Sequence, residues 1–144
     1  MSIIIPPGHH TLTPSFVVPG VAKVIDFMAA AFGAEVVDRY DGPDGVVFHA
    51  EVRIGDSILM MGDLQPGFDA MPAMLGLYVA DCDAAYARAL AAGATSLEAP
   101  KDMFYGYRTA RVQDVGGNKW AIQQVVELLS KEEIETRMAS APHG

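Results

Sequence analysis

The chain has 144 residues, of which 51% are hydrophobic and 19% are charged, and its formal net charge at pH 7 is −8. With only 10 Lys and Arg residues and no basic stripe, the sequence argues against nucleic acid and against an anionic membrane as partners. We expect a single domain spanning residues 1–144, and the apolar excess predicts further buried surface in a ligand pocket or an oligomer interface.

Because the chain has a single cysteine, Cys82, it cannot form an internal disulfide. Because the start of the chain also lacks a signal-peptide pattern, we expect a reducing, cytoplasmic location. The longest apolar run, residues 27–32, is far shorter than the roughly 20 residues that a membrane span needs. Asp81 and Asp83 beside the thiol would raise its pKa, so Cys82 is not expected to act as a nucleophile.

After an irregular lead-in at residues 1–8, the first half of the chain reads as a βαβββ unit over about residues 10–63. A short β-prone run precedes a helix, and Gly33 is the predicted helix stop. The helix is indicated by an apolar stripe at Val21, Val24, Ile25, Met28 and Phe32. Three further strands are predicted at Ala34–Tyr40, Val46–Arg53 and Ser57–Met61.

Residues 64–73, rich in proline and glycine, form the predicted linker to a second copy of the unit at about residues 74–127. Its helix carries an apolar stripe at Ala85, Tyr86, Ala89 and Leu90, with Gly93 as the stop. Either Asp81 or Asp83 is suited to cap its N-terminus. The later strands are predicted at Thr95–Glu98, Thr109–Gln113 and Trp120–Val126.

The predicted fold class is therefore α+β. Two tandem βαβββ modules form a curved, mostly antiparallel sheet trough with helices on the outside. Ser130 and Glu133 have capping-box spacing and open a short C-terminal helix at about residues 130–138, followed by a frayed tail at 139–144. A sheet with a helix on one face leaves the other face bare, and two bare faces side by side form a trough that can bind a ligand.

Several local motifs follow the same order as in the vicinal oxygen chelate superfamily, the glyoxalase, bleomycin-resistance and dioxygenase proteins. They are Thr13-Pro14, Ile25–Phe27 with Ala31–Glu35, His49–Ser57, Ala91–Ala94, Phe104–Gly106 with Arg108, and Asp114 leading to Gly117. Over residues 10–138 the chain resembles the PhnB-like branch, although Tyr107 and Asn118 replace an Asp and a His common there. The resemblance implies a paired-module fold and usually a homodimer. It implies no single activity, because the superfamily includes lyases, isomerases, dioxygenases, transferases and antibiotic-sequestering proteins.

Enzymes of this superfamily hold a divalent metal with His or Glu at four inward-facing positions. The corresponding positions here lie near Thr13, Met60, Met74, and Ala121 or Gln123. Since none of these supplies an imidazole or a carboxylate, we expect no metal and no other cofactor. Of the four histidines, His9 and His10 are interpreted as surface residues and His143 as part of the tail.

His49 and Glu51 are two residues apart in a predicted strand and therefore share a face, while Phe48, Ala50, Val52 and Ile54 are expected to face the helix. One reading is a solvated or mutually paired row together with Arg53. The other readings are contact with a ligand, a non-standard metal site, or a catalytic general base.

Two groups of residues are the candidate ligand contacts. Alternation along the strands places Thr13, Ser15, Met60, Met74, Tyr78 and Gln123 on the trough face. The loop at residues 100–108 places Phe104, Tyr105, Tyr107 and Arg108 around Gly106, a set suited to planar or anionic ligands. The alternatives are ordinary core for the methionines and a hydrophobic lid or a dimer contact for the loop.

Three functions are consistent with these patterns. The preferred one is a metal-independent protein that sequesters or carries an aromatic or amphiphilic small molecule. The second is a lyase, isomerase or dioxygenase-like enzyme that uses His49 and Glu51 or a non-standard metal site. The third is an interaction module whose trough is closed by its own dimer partner.

Overall fold

A computed structural model describes residues 1–141, which form two βαβββ modules and a C-terminal helix. Module 1 contains β1 (Ser15–Val18), α1 (Val21–Phe32), β2 (Glu35–Asp41), a 3-10 turn (Pro43–Gly45), β3 (Val47–Ile54) and β4 (Ser57–Asp63). Module 2 contains β5 (Met74–Tyr78), α2 (Cys82–Ala91), β6 (Thr95–Asp102), β7 (Tyr107–Gln113) and β8 (Lys119–Val125). Helix α3 (Lys131–Ser140) follows.

Each module contributes one four-stranded mixed sheet. Sheet A has the strand order β1-β4-β3-β2 and sheet B the order β5-β8-β7-β6. In each sheet the first pair is parallel and the other two pairs are antiparallel. The predicted α+β fold of two tandem βαβββ modules is confirmed. The eight strands form two separate sheets, and an isolated bridge between Val17 and Met71 ties the edge of sheet A to the linker.

Helix α1 follows the predicted stripe, and it ends at Gly33, which adopts the left-handed conformation with φ 68°. Its N-terminus has no side-chain cap of its own at Gly20. The carboxylate of Asp63 at the end of β4 accepts hydrogen bonds from the amides of Val21 (3.0 Å) and Val47 (2.7 Å). One side chain thereby satisfies the start of α1 and the start of β3.

In α2 the open choice of cap is resolved in favour of Asp81, whose carboxylate accepts the amide of Ala84 at 3.0 Å. The amide of Cys82 donates to Oε1 of Gln124 at 2.9 Å, so the last strand of each module supports its helix. Cys82 is fully buried, its Sγ donates to the carbonyl of Ile122, and burial raises the pKa of the thiol. A protonated, enclosed thiol is a poor nucleophile.

The helix-bearing faces of both sheets meet in one hydrophobic core, where α1 packs against α2. The rings of Phe27 and Phe32 from α1 contact the indole of Trp120 on β8, with centroids 6.4 and 5.0 Å apart. Trp120 is 2% exposed and belongs to this core. The opposite face of each sheet carries no helix of its own module, and we call it the open face.

A buried polar network ties the linker to the turn between β7 and β8. The carboxylate of Asp114 accepts from the backbone amides of Gly116 and Asn118, from the Asn118 side chain and from Nε1 of Trp120. Oδ1 of Asn118 accepts the amide of Ala73 at 2.9 Å, where the linker enters β5.

Three expectations about local structure were wrong. Phe48 does not face the helix, because its side chain is 56% exposed. A register shift between Tyr40 and Asp41 of β2 interrupts the alternation along β3, so that Val47 is buried in the core and Phe48 is not. Strand β6 continues to Asp102 and β7 begins at Tyr107, so the predicted loop at 100–108 shrinks to a four-residue turn. Helix α3 extends to Ser140, into the predicted frayed tail; His143 and the end of the tail lie outside the described residues.

The predicted capping box at the start of α3 is confirmed, with Oγ of Ser130 accepting the amide of Glu133 at 3.1 Å. Within residues 1–141, none of the helices has the length and apolar character needed to cross a membrane.

Replacing Asn118 with Ala should lower the free energy of unfolding by about 1–3 kcal/mol, because it leaves the amide of Ala73 without its acceptor and removes one donor from the buried Asp114 carboxylate. Urea denaturation measures the change. The matched control is Gln65→Ala, which removes an exposed amide that donates only to the Asp63 carbonyl and should change stability by less than about 0.5 kcal/mol. Equal effects of the two substitutions would contradict the role assigned to Asn118.

Candidate ligand-binding site

Four aromatic side chains form a continuous cluster at one end of the open face of sheet B. In this aromatic cluster the ring of Tyr105 lies 5.2 Å from that of Phe104 and 5.2 Å from that of Tyr107. Tyr107 in turn contacts Tyr78 edge to face at 5.9 Å, and their hydroxyls are 3.3 Å apart. The structure thus brings together four of the residues that the sequence singled out.

The turn that presents Phe104 and Tyr105 depends on Gly106. This glycine has φ +92°, and a Cβ there would collide with the carbonyl of Glu127. The carbonyl of Gly106 accepts the amides of Val126 and Glu127, both at 2.9 Å, which fixes the turn against the segment after β8.

Helix α3 supports the same turn from the other side. The guanidinium of Arg137 makes a two-pronged ion pair with Glu127 at 3.2 and 3.1 Å, and it donates to the carbonyl of Phe104 at 3.4 Å. The hydrogen bond from Arg137 lowers the pKa of the Glu127 carboxyl. This support could not be predicted from the sequence, because the contact spans 33 residues of chain and has no local pattern.

The hydroxyl of Tyr107 is a neutral hydrogen-bonding group. The hydrogen bond to Tyr78 raises the pKa of Tyr107 above its ordinary value, so this phenol stays protonated at neutral pH. The exposed fraction of Tyr78 is 64%, which leaves most of its ring free to contact a ligand. A planar molecule can stack on such rings and hydrogen-bond to their hydroxyls.

Gln123 and Met74 lie on the same open face. Gln123 pairs with Tyr78 across the β5–β8 ladder, and its amide lies over Gly76, where a Cβ would come within 2.9 Å of Nε2. Met74 at the other end of β5 is 68% exposed. This face therefore combines a flexible thioether, an amide and four aromatic rings.

Arg108 does not join the cluster. Because Tyr107 already belongs to β7, Arg108 points to the opposite, helix-bearing face. Its guanidinium makes two hydrogen bonds to Asp83 (2.8 and 3.0 Å) and one to Asp102 (3.1 Å). The hydrogen bond from Arg108 lowers the pKa of the Asp83 carboxyl. Arg108 thus ties α2 to the end of β6, and the expectation that it lies beside Tyr105 and Tyr107 was wrong.

A cleft of about 460 Å³ lies next to the aromatic cluster and shares Tyr78 with it. This cleft could not be predicted from the sequence, because its walls come from both modules. They are formed by Pro14, Phe32, residues 54–57, Leu59, residues 75–79, Arg88 and Trp120. Its volume lies in the range of small-molecule sites, and its lining is mainly apolar and aromatic.

The remaining candidates lie on the open face of sheet A. Ser15 pairs with Met60, and Met60 pairs with Glu51 on the other side, while Thr13 lies just before β1. Met74, Tyr78 and Gln123 belong to sheet B, so the predicted ligand contacts are divided between the two sheets.

His49 and Glu51 share the open face of sheet A, as alternation predicts, with Nε2 and Oε1 3.4 Å apart. His9 is not a surface residue: its side chain is 11% exposed, and its Nε2 lies 3.3 Å from Oε2 of Glu51. That nitrogen is buried and lacks an aligned hydrogen-bond partner, while Nδ1 lies 3.2 Å from the carbonyl of Pro7. Glu51 is thus bracketed by two imidazoles, and the ring of Tyr40 lies 6.2 Å from that of His49.

The donor set does not fit the divalent metal that the family resemblance implies. The four expected positions carry hydroxyl, thioether, methyl or amide groups, which are weak ligands for such ions. Within residues 1–141, no three His, Cys, Asp or Glu side chains are arranged to hold a metal ion.

Comparison with known proteins agrees with this architecture. The model of the Glyoxalase/Bleomycin resistance protein/Dioxygenase superfamily matches residues 8–122. The uncharacterized protein Mb0911c of Mycobacterium bovis is 38% identical over 144 residues, which cover 92% of this chain and 95% of the relative.

Solved structures show the same fold at lower identity. TioX from Micromonospora sp. ML1 has a TM-score of 0.68 at 20% identity, over 81% of this chain and 98% of that chain. A superfamily member from Sphaerobacter thermophilus DSM 20745 has a TM-score of 0.60 at 21% identity, over 80% and 98%. From the family model and the two-module fold together, we conclude that this chain belongs to the glyoxalase/bleomycin resistance protein/dioxygenase superfamily.

Proposed function

We propose that this protein is a metal-independent small-molecule-binding protein that sequesters or carries an aromatic or amphiphilic ligand. The observation that carries this proposal is the aromatic cluster on the open face of sheet B, directly beside the cleft. We further propose that the chain belongs to the PhnB-like branch of its superfamily, on the motifs it shares with that branch.

The physical basis is the combination of aromatic rings, of which that of Tyr78 is exposed and the other three are half-buried, with polar groups. Tyr78 belongs to both the cluster and the cleft, so one ligand can contact the rings and enter the cleft. Burying an aromatic body there removes apolar surface from water, while the hydroxyls and the Gln123 amide supply hydrogen bonds that orient it. Nothing in this arrangement requires a metal ion.

The enzyme alternative is supported by the acid–base group on sheet A. Two imidazoles within 3.4 Å of the same carboxylate are the type of group that transfers protons. We give this alternative second place, because the half-buried carboxylate is already bracketed by His9 and His49, which leaves little of it free to meet a substrate.

We also propose a homodimer in which a second copy covers exposed apolar side chains away from the aromatic cluster. Met74 at the far end of β5 on sheet B, and Tyr40 on sheet A, are large apolar or aromatic side chains exposed in the single chain. Exposed apolar surface of this kind favours association. Within residues 1–141, the edge strands β2, β5 and β6 also retain backbone groups along one side that pair with no other strand.

Replacing Tyr78 with Ala should weaken binding of an aromatic probe, 2-naphthamide, by about tenfold or more, because it removes the ring shared by the cluster and the cleft. Saturation-transfer NMR titration gives the dissociation constant. Phe68→Ala is the matched control: it removes an exposed ring that lines a separate depression of about 790 Å³ beside the linker. Weaker binding in the Phe68 variant with no change in the Tyr78 variant would move the site to that depression.

Removal of metal should leave binding unchanged. After treatment with EDTA, the dissociation constant for 2-naphthamide should stay within about twofold of its starting value, and elemental analysis should find far less than one equivalent of Mn, Fe, Ni, Zn or Cu per chain. Stoichiometric metal, or binding that EDTA abolishes and one of these ions restores, would contradict metal independence.

Sedimentation equilibrium should give twice the mass of one chain at micromolar concentration, because a second copy buries the exposed apolar side chains. Replacing Met74 with Lys places a charge on the open face and should shift the equilibrium toward monomer. The control, Leu128→Lys, changes an exposed leucine beyond β8 and should leave the mass unchanged. A monomeric wild-type chain would refute the dimer.

A further inference from the structure

Arg88 differs from the other arginines of the chain in its partners. Within residues 1–141, five of the six arginines lie within 4.0 Å of a carboxylate; they are Arg39, Arg53, Arg108, Arg111 and Arg137. No such ion pair is formed by Arg88 in this part of the chain, although the protein carries 18 acidic residues and a net charge of −8. A guanidinium without a carboxylate partner in so acidic a chain is free to bind an external anion.

The position of Arg88 on α2 is fixed by one hydrogen bond. Its Nε donates to the carbonyl of Ala31 at 3.2 Å, in the last turn of α1. A cation at a helix C-terminus is favourable, so this contact accounts for a positive charge at this place. It uses only one of the five N–H donors of the side chain, and the two terminal nitrogens remain available as a planar fork.

Arg88 is one of the residues that line the cleft, together with the aromatic residues Phe32, Tyr78 and Trp120. Arg88 and Asp56 are the charged residues of that wall. Asp56, at the β3–β4 turn, accepts a hydrogen bond from Ser57 at 3.1 Å and forms no ion pair with Arg88. The cleft therefore offers an apolar, aromatic interior with one cationic fork.

We propose that Arg88 is the anion anchor of this cleft and that the ligand is an aromatic carboxylate. Its carboxylate binds the terminal nitrogens of Arg88, and its ring lies against Phe32 and Tyr78. Arg–carboxylate pairs are strong and directional, because two parallel N–H groups meet two oxygens. This assignment rests on the proposed function, since it specifies the class of ligand bound at the same site.

The test uses two probes of the same shape, 2-naphthoate and 2-naphthamide, which differ in charge. At low ionic strength the wild-type protein should bind the carboxylate about tenfold more tightly than the amide. Arg88→Met should abolish this preference, and a cooperative urea unfolding transition shows that the variant is folded. Arg88→Lys should retain part of the preference, because a lysine keeps the charge but lacks the fork.

Two further variants separate the anchor from general electrostatics. Arg53→Met removes an exposed positive charge on sheet A and should leave the preference unchanged. Asp56→Asn removes the carboxylate from the cleft wall and should strengthen 2-naphthoate binding, while amide binding stays the same.

The possible failures are distinguishable. If the amide binds in a Tyr78-dependent manner and the wild type shows no preference for the carboxylate, the anchor is refuted and the proposed binding function stands. A preference that persists in Arg88→Met, or that Arg53→Met abolishes, also refutes the anchor. If neither probe binds the wild type at millimolar concentration, both the anchor and the proposed function fail.

Discussion

A single helix can cover only one face of a four-stranded sheet, so the other face of the sheet stays uncovered. This constraint applies to each of the two modules of the chain. Both helix-bearing faces share one core, in which the rings of α1 pack against Trp120 of the second module. Neither module can complete its core without the other. The side chains that alternate with the core therefore remain on the open faces, and all of the candidate chemistry lies there or in the cleft between the modules.

Polar groups connect this core to the candidate site. Asp114 and Asn118 tie the linker to the last strand and thereby fix where β5 begins. The position of Tyr78, the last residue of β5, follows from that starting point. Arg137 and Gly106 hold the turn that carries Phe104 and Tyr105. The aromatic cluster is thus supported by a buried network at one end and by the C-terminal helix at the other. Rings held in place in this way lose little freedom when a ligand binds.

The periodic features of the fold could be predicted from the sequence. The apolar stripe and Gly33 gave the extent of α1, and the spacing of Ser130 and Glu133 gave the start of α3. Alternation along β5 and β8 also put Tyr78 and Gln123 on the same face. These predictions succeeded because each depends on neighbours a few residues apart along one element.

Features that depend on distant contacts could not be predicted. The exposure of Phe48 follows from a register shift against β2, and the side on which Arg108 points follows from where β7 begins. The burial of His9 depends on Glu51, and the place of Arg88 depends on Ala31, 57 residues away. No local pattern marks such pairs, so the cleft appears only when both modules are in place. The ligand roles of the site residues remain predictions.

The most direct test of the account is to map the backbone amide shifts of the protein by NMR as 2-naphthamide is added to saturation. The account predicts that the largest shifts fall on residues 76–78 of β5, on residues 104–107, and on Gln123. Shifts centred instead on His49, Glu51 and Met60 of sheet A would place the ligand on the other sheet and contradict the central claim.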